Sequence, residues 1–201
     1  MHRARDIFYI LFAYLFGSVL FAPLASQLLG KGDITENTPD HNPGTTNAFE
    51  NGGFWCGLLT LLGDLLKGAL PVYLYLHGET THALALVLAA PVLGHIFSVF
   101  HHFHGGKGIA TTFGCLLGLI PNLRPVLLLA FFFLLYSLVF RILPHYHRTL
   151  VTYLSTELAM RFWASPVLFW GFTLIVAAVC YRLFTSREEK VPFEVELLWK
   201  H

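Results

Sequence analysis

Apolar residues in this chain run in long stretches instead of alternating with polar ones. The stretches cover roughly 7–29, 54–77, 82–99, 108–121, 124–141, 148–164 and 166–184. Most of them approach the roughly 20 residues that an α-helix needs to cross the bilayer core. No water reaches backbone N–H and C=O groups there, so the pattern predicts helices, which satisfy those groups internally. Pro121, Pro125 and Pro166 mark turns between the stretches. The fourth stretch, at about 14 residues, predicts a helix that is tilted, half-inserted or packed inside the bundle. The predicted fold class is all-α: a polytopic integral membrane helical bundle of about seven transmembrane helices, forming a single domain over 1–201.

Composition agrees with this reading. Of 201 residues, 55% are hydrophobic and 12% charged, and the mean hydropathy is +0.61. A soluble domain of this length has too much surface for its volume to hide so much apolar area. The start, Met1-His2-Arg3-Ala4-Arg5, resembles a signal peptide. The apolar stretch behind it continues to Leu29 without a small-residue cleavage site, so it reads as a retained first span.

Charge then sets the expected orientation. The net charge of +1 supplies no field for nucleic acid, and no basic stripe interleaved with aromatics is present. With seven spans, one side carries eight basic residues: Lys31, Lys107, Arg141, Arg148, Arg182, Arg187, Lys190 and Lys200. The other carries four, Arg3, Arg5, Arg124 and Arg161. The positive-inside rule makes the richer side cytoplasmic. Segments 30–53, 100–107, 142–147 and 185–201 then share that face, with most of the histidines. A single polar face is where function is expected.

Candidate chemistry falls in four places. Residues 30–47 are dense in Gly, Asn, Asp, Pro and Thr, which turn the chain tightly and offer hydrogen bonds to a small polar ligand. In Gly105-Gly106-Lys107-Gly108, three glycines flank a lysine where a helix should begin. Backbone N–H groups can converge on an anion there, and the helix N-terminus and the lysine add positive charge. The spacing differs from a Walker A loop. Asp64 and Lys67, inside the second span, are spaced i,i+3 and can pair on one helix face. His101, His102 and His104, with His95, His145, His147 and the Asp40-His41 pair, could ligate a metal, although no known ligand spacing appears. Cys56, Cys115 and Cys180 lie inside apolar stretches and read as small packing residues. No nucleophile elbow and no His-Glu-x-x-His motif is present.

Taken in order, these segments resemble the bacterial acyl-phosphate:glycerol-3-phosphate acyltransferases, the PlsY family. The resemblance rests on Gly17-Ser18-Val19-Leu20-Phe21, on Asn42-Pro43-Gly44-Thr45-Thr46-Asn47, and on Asp64-Leu65-Leu66-Lys67-Gly68-Ala69-Leu70-Pro71. It continues through Gly94-His95-Ile96-Phe97 and Gly105-Gly106-Lys107-Gly108-Ile109-Ala110-Thr111. It covers about residues 17 to 121. The departures are specific. Asp40-His41 stands for the family's Ser-Gly, Glu50 for an arginine, and Ser98 for a proline. Arg148, Thr152 and Ser155 occupy a Ser-rich region, and Arg182, Ser186 and Arg187 stand near a terminal His-x-x-Asn.

The resemblance implies transfer of a fatty acyl group from acyl phosphate to the sn-1 hydroxyl of glycerol 3-phosphate, giving lysophosphatidic acid. The setting would be the bacterial inner membrane, with the active face cytoplasmic. Acyl phosphate is a mixed anhydride with a good leaving group, so neither an enzyme nucleophile, a metal nor another cofactor is called for. Under this reading the Gly105, Gly106 and Gly108 backbone and Lys107 hold phosphate, with Thr111 beside them. Asn42, Thr46 and Asn47 orient the glycerol, and Gly44 belongs with them to the substrate-binding set. The hydroxyl proton goes to His95 or to a substrate phosphate oxygen. Asp64 and Lys67 are expected as a structural charge pair. The partners implied are the two substrates and membrane lipids. Two other classes stay open: a diverged paralogue that uses another acceptor or only binds lipid, and a His-based metal-binding or transport protein.

Overall fold

The computed structural model describes residues 2–36, 38, 41–78, 83–186 and 192–197. Each of the seven apolar stretches carries a helix. The first is divided into α1 (His2–Gly17) and α2 (Phe21–Leu28). Then come α3 (Thr45–Gly52), α4 (Phe54–Leu76), α5 (Leu84–Ile96) and α6 (Ile109–Leu117). The chain ends with α7 (Arg124–Leu134), β1 (Phe140–Leu143), α8 (His145–Met160), α9 (Pro166–Thr185) and β2 (Glu194–Leu197).

By length and apolarity, α4, α9 and α5 with its following 3-10 turn to His101 can each cross a membrane. The bent α1–α2 pair adds a fourth candidate span. The remaining apolar stretches are shorter as helices, so seven full spans is an approximate count. The 9-residue α6 is the shortest of the seven. Its Gly114 and Gly118 lie against the Leu65 and Ala69 carbonyls of α4, and Gly68 of α4 lies against the Thr111 carbonyl. A Cβ at any of these would strike backbone, so α4 and α6 pack backbone to backbone, as small residues allow in membranes. The segment therefore sits inside the bundle, one of its expected placements.

The bend between α1 and α2 is 46°. A broken span leaves carbonyls without helical partners, and in lipid they need others. Ser98 Oγ donates to the Ser18 carbonyl at 2.6 Å. Lys67 Nζ donates to the Val19 carbonyl, also at 2.6 Å. The break thus lies beside α4 and α5, where the buried polar groups are. Gly17 and Gly94 let α1 and α5 approach closely at this level.

The core is aliphatic and aromatic, with Tyr75, Leu88, Ile96, Leu116, Leu129, Tyr153, Phe172 and Ile175 fully enclosed. Trp55, Leu62, Leu66, Phe131, Leu158 and Trp170 lie exposed on the outside, as lipid-facing residues would. One feature departs from the expected pattern. The stretch 124–141 ends early: Phe140 and Arg141 leave the helix and pair antiparallel with Leu197 and Glu196. Arg141 also reaches Glu196 at 3.4 Å. The alternation in Phe140-Arg141-Ile142-Leu143, with only Ile142 buried, suits a short strand.

Candidate active site

The site is built on a buried polar cluster in α4 and α5. Asp64 Oδ1 lies 2.7 Å from Lys67 Nζ. His95 Nδ1 lies 2.7 Å from the same ammonium and 3.6 Å from the same carboxylate oxygen. All three side chains are buried. An ammonium has no acceptor, so His95 Nδ1 accepts and the ring proton resides on Nε2. The expected two-member pair is thus part of a larger set, closed by His95 and the Val19 carbonyl.

The glycine-rich loop is moulded onto His95. The Gly106 N–H donates to the His95 carbonyl at 3.2 Å. A Cβ at Gly105 would strike that carbonyl, and one at Gly106 would strike the imidazole Nε2. The positive φ falls on Gly108, at +79°, where the chain turns into α6. The glycines therefore serve two needs: close approach at 105 and 106, and a left-handed turn at 108. Arg182 of α9 donates to the Gly105 carbonyl at 3.1 Å and fixes the loop from the other side.

Beside this loop lies a cleft of about 570 Å³. Three helix beginnings meet in it: Thr45 and Thr46 from α3, Ile109 and Ala110 from α6, and His145 and Arg148 from α8. No side chain caps any of the three. Uncapped first-turn N–H groups and the positive ends of helix dipoles attract anions. Lys107 lines the cleft, as do Asn42, Gly44, Asp64, His95 and Gly108. Leu61 and Phe113 supply an apolar wall. Residues from segments 42–46, 107–110 and 145–148 therefore line one cleft.

The other expected residues stand just behind. Asn47 is buried, and its Nδ2 donates to the Asn42 carbonyl at 2.8 Å, which shapes the loop before α3. Thr111, in the first turn of α6, is buried, with no hydrogen-bond partner for Oγ1 among the described residues. Gly105 borders a larger cavity of about 1080 Å³ that also touches His41, His101, His104 and Arg182. His101 Nδ1 pairs with Ser98 Oγ at 3.0 Å, and His104 Nδ1 with the His102 carbonyl at 2.7 Å. Among the described residues no group of three His, Cys, Asp or Glu side chains is placed to hold a metal. Asp40, the suggested partner of His41, lies outside the described residues.

Arg148 and His145 line the cleft; the sequence offers His145 only as a possible metal ligand and Arg148 only as a departure in a Ser-rich region. An arginine opening an apolar stretch is the signal that could have flagged the first. Glu50, the charge-reversing departure, lines the cleft as well.

Fold and cleft together define an integral membrane helical bundle with a polar cleft where three of its helices begin. The comparisons with known proteins agree. The glycerol-3-phosphate acyltransferase family model matches residues 7–189. The chain is 38% identical to a glycerol-3-phosphate acyltransferase of Pasteurella multocida, over 96% of this chain and 90% of that protein. It is 44% identical to the enzyme of the same name from Cupriavidus taiwanensis, over 64% of this chain and 68% of that one. Its fold is similar to crystal structures of PlsY, an integral membrane glycerol 3-phosphate acyltransferase. The glycerol 3-phosphate form matches with a TM-score of 0.75 and 27% identity, over 89% of this chain and 88% of that one. The lysophosphatidic acid form matches with a TM-score of 0.71. The chain belongs to the glycerol-3-phosphate acyltransferase family.

Proposed function

We propose that the cleft is where this chain moves an acyl group from acyl phosphate to the sn-1 hydroxyl of glycerol 3-phosphate. The products are lysophosphatidic acid and phosphate. The acceptor hydroxyl oxygen attacks the acyl carbonyl, a new ester C–O bond forms, and the C–O bond to phosphate breaks. The observation that carries this reading is the meeting of three uncapped helix N-termini and Lys107 in one cleft with an apolar wall.

In this reading, positioning and charge neutralisation do most of the work. Lys107 and the Gly108–Ala110 amides hold phosphate, while Asn42 and Thr46 orient the glycerol. Leu61 and Phe113 start the path of the acyl chain into the bundle. His95 is a positioning residue: its Nδ1 is taken by Lys67, and its Nε2 proton faces the Gly106 backbone. The hydroxyl proton passes instead to an oxygen of a substrate phosphate. The single domain spans 1–201, and its basic-rich face is cytoplasmic, at the inner membrane of a bacterium.

Lys107→Ala tests the reading in purified protein supplied with acyl phosphate and glycerol 3-phosphate. A charge-assisted contact of about 1.5–3 kcal/mol is lost. The specificity constant should fall by about one to two powers of ten, with the thermal midpoint unchanged. Lys107→Arg should recover only part, because a planar fork fits a glycine-walled pocket poorly. Wild-type turnover in Lys107→Ala would remove the phosphate-cradle reading.

A further inference from the structure

The cleft has a charge balance that its motifs alone do not explain. Asp64 is matched internally by Lys67. Glu50 brings a second carboxylate from α3, in the place where the resemblance implies an arginine. Lys107 would then face two phosphorylated substrates with a carboxylate nearby.

Arg148 changes that balance. It sits in the first turn of α8, and its side chain lines the same cleft as Lys107 and Glu50. Its Nε is enclosed and has no hydrogen-bond partner among the described residues. Arg141, the neighbouring arginine, by contrast reaches Glu196 and is 62% exposed. A half-buried guanidinium that the protein leaves partly unanswered is costly, and an anion in the cleft that meets its other N–H groups offsets that cost. Thr45 Oγ1, on the α3 side of the cleft, is likewise buried with no partner among the described residues. Arg148 and Thr45 thus line one cleft from different helices, and each carries an enclosed polar atom without a partner among the described residues.

We propose that Arg148 is the second phosphate-binding cation of this site and determines its affinity for a phosphate monoester acceptor. Its planar fork offers paired N–H groups to a tetrahedral dianion, which a point charge does not. Glu50 repels that dianion from the outer part of the α3 wall and so directs it toward α6 and α8. The acyl donor is also anchored by its chain against Leu61 and Phe113. The small acceptor has no such anchor and depends on charge. Loss of Arg148 therefore falls on the acceptor.

The assignment to an acceptor rests on the proposed acyltransferase reading, and the test separates the two. Two quantities are measured on the full chain in detergent: the Kd for inorganic phosphate by calorimetry, and the KM for each substrate. Arg148→Ala should raise the phosphate Kd and the glycerol 3-phosphate KM by about ten- to a hundredfold. The acyl phosphate KM and kcat should change much less. Arg148→Lys should recover part of the loss and also serves if the alanine variant fails to fold. Glu50→Gln should lower both the Kd and the acceptor KM. Arg161→Ala, at the other end of α8, should change neither. Wild-type values of both in Arg148→Ala, with turnover intact, would overturn the proposal and leave the acyltransferase reading standing. Phosphate binding that depends on Arg148 in a wild-type chain without turnover would do the reverse.

Discussion

Helix α4 connects two polar regions that are organised in opposite ways. Near its C-terminal end, Tyr75 is fully buried, and its hydroxyl donates to Asp6 Oδ1 at 2.7 Å. The Tyr75 hydroxyl oxygen accepts from the Ala83 N–H at 2.9 Å. Arg5 donates to the Tyr75 carbonyl at 2.5 Å and lies over the Tyr75 ring, 4.6 Å from its centroid. Roughly 20 Å back along the helix, at Leu61 and Asp64, lies the cleft. There, Arg148 Nε and Thr45 Oγ1 have no partner among the described residues, and three helix N-termini carry no side-chain cap. In the first region the protein answers its own polar groups. In the second it leaves donors for something else. The first should respond to mutation in stability, and the second in ligand affinity and turnover.

The Asp64–Lys67–His95 set lies between these types, and the largest effect is expected there. Asp64→Ala leaves Lys67 buried without its carboxylate. Breaking a buried pair costs about 3–5 kcal/mol, seen as a large fall in the thermal midpoint of the detergent-solubilised protein. Asp64→Ala with Lys67→Met removes both charges and should regain much of that loss. If Asp64→Ala is stable yet inactive, the set belongs with the open region, and the boundary drawn here moves.

Tyr75→Phe examines the closed region. It deletes one donor and one acceptor and leaves Asp6 and the Ala83 N–H to find new partners. The expected cost is about 1–3 kcal/mol of stability, measured by denaturation, with KM for both substrates unchanged. A shift in KM without a shift in stability would erase the contrast between the two regions.

The two regions also differed in how far the sequence revealed them. Gly105-Gly106-Lys107-Gly108 and Asn42 to Thr46 were readable because a local run of residues encodes a local backbone. That backbone is a left-handed turn at Gly108 and a helix start just beyond it. Asp64 and Lys67 were readable because i,i+3 spacing is helical geometry. Arg148 and Arg182 were not legible as site residues, and His145 only as a possible metal ligand, because only the packing of α8 and α9 brings them near the glycine loop. The Val19 carbonyl as a partner for Lys67 depends on the break between α1 and α2, which apolarity alone does not signal. Helix positions within the bundle followed from hydropathy. Helix lengths did not, because α6 gives way to Gly118 and Pro121, and α7 passes at Leu135 into a π turn that leads to the short strand β1.

The smallest effect is expected at the wall of the larger cavity, and it refines the contrast. Asp33 lines that cavity, at the site end of the molecule, yet it is answered locally. Its Oδ1 accepts from the Thr35 N–H at 2.8 Å and from the Thr35 hydroxyl at 2.7 Å. Those bonds, the backbone N–H first, hold the carboxyl below its usual range, and nearby His41 acts in the same direction. A lowered folded value means that the stabilisation is complete above the unfolded-chain value of about 3.9. It is lost as the pH falls through the lower folded value. The group is exposed, so solvent screening limits the effect to about a few tenths of a kcal/mol. Asp33→Ala should lower the protection of the Thr35 amide, its exchange rate relative to the intrinsic rate at the same pH, to that of the acidified wild type. The thermal midpoint and the glycerol 3-phosphate KM should not move. If the KM does move with Asp33→Ala, the larger cavity takes part in acceptor binding, and the open region extends past Gly105 to the loop before α3.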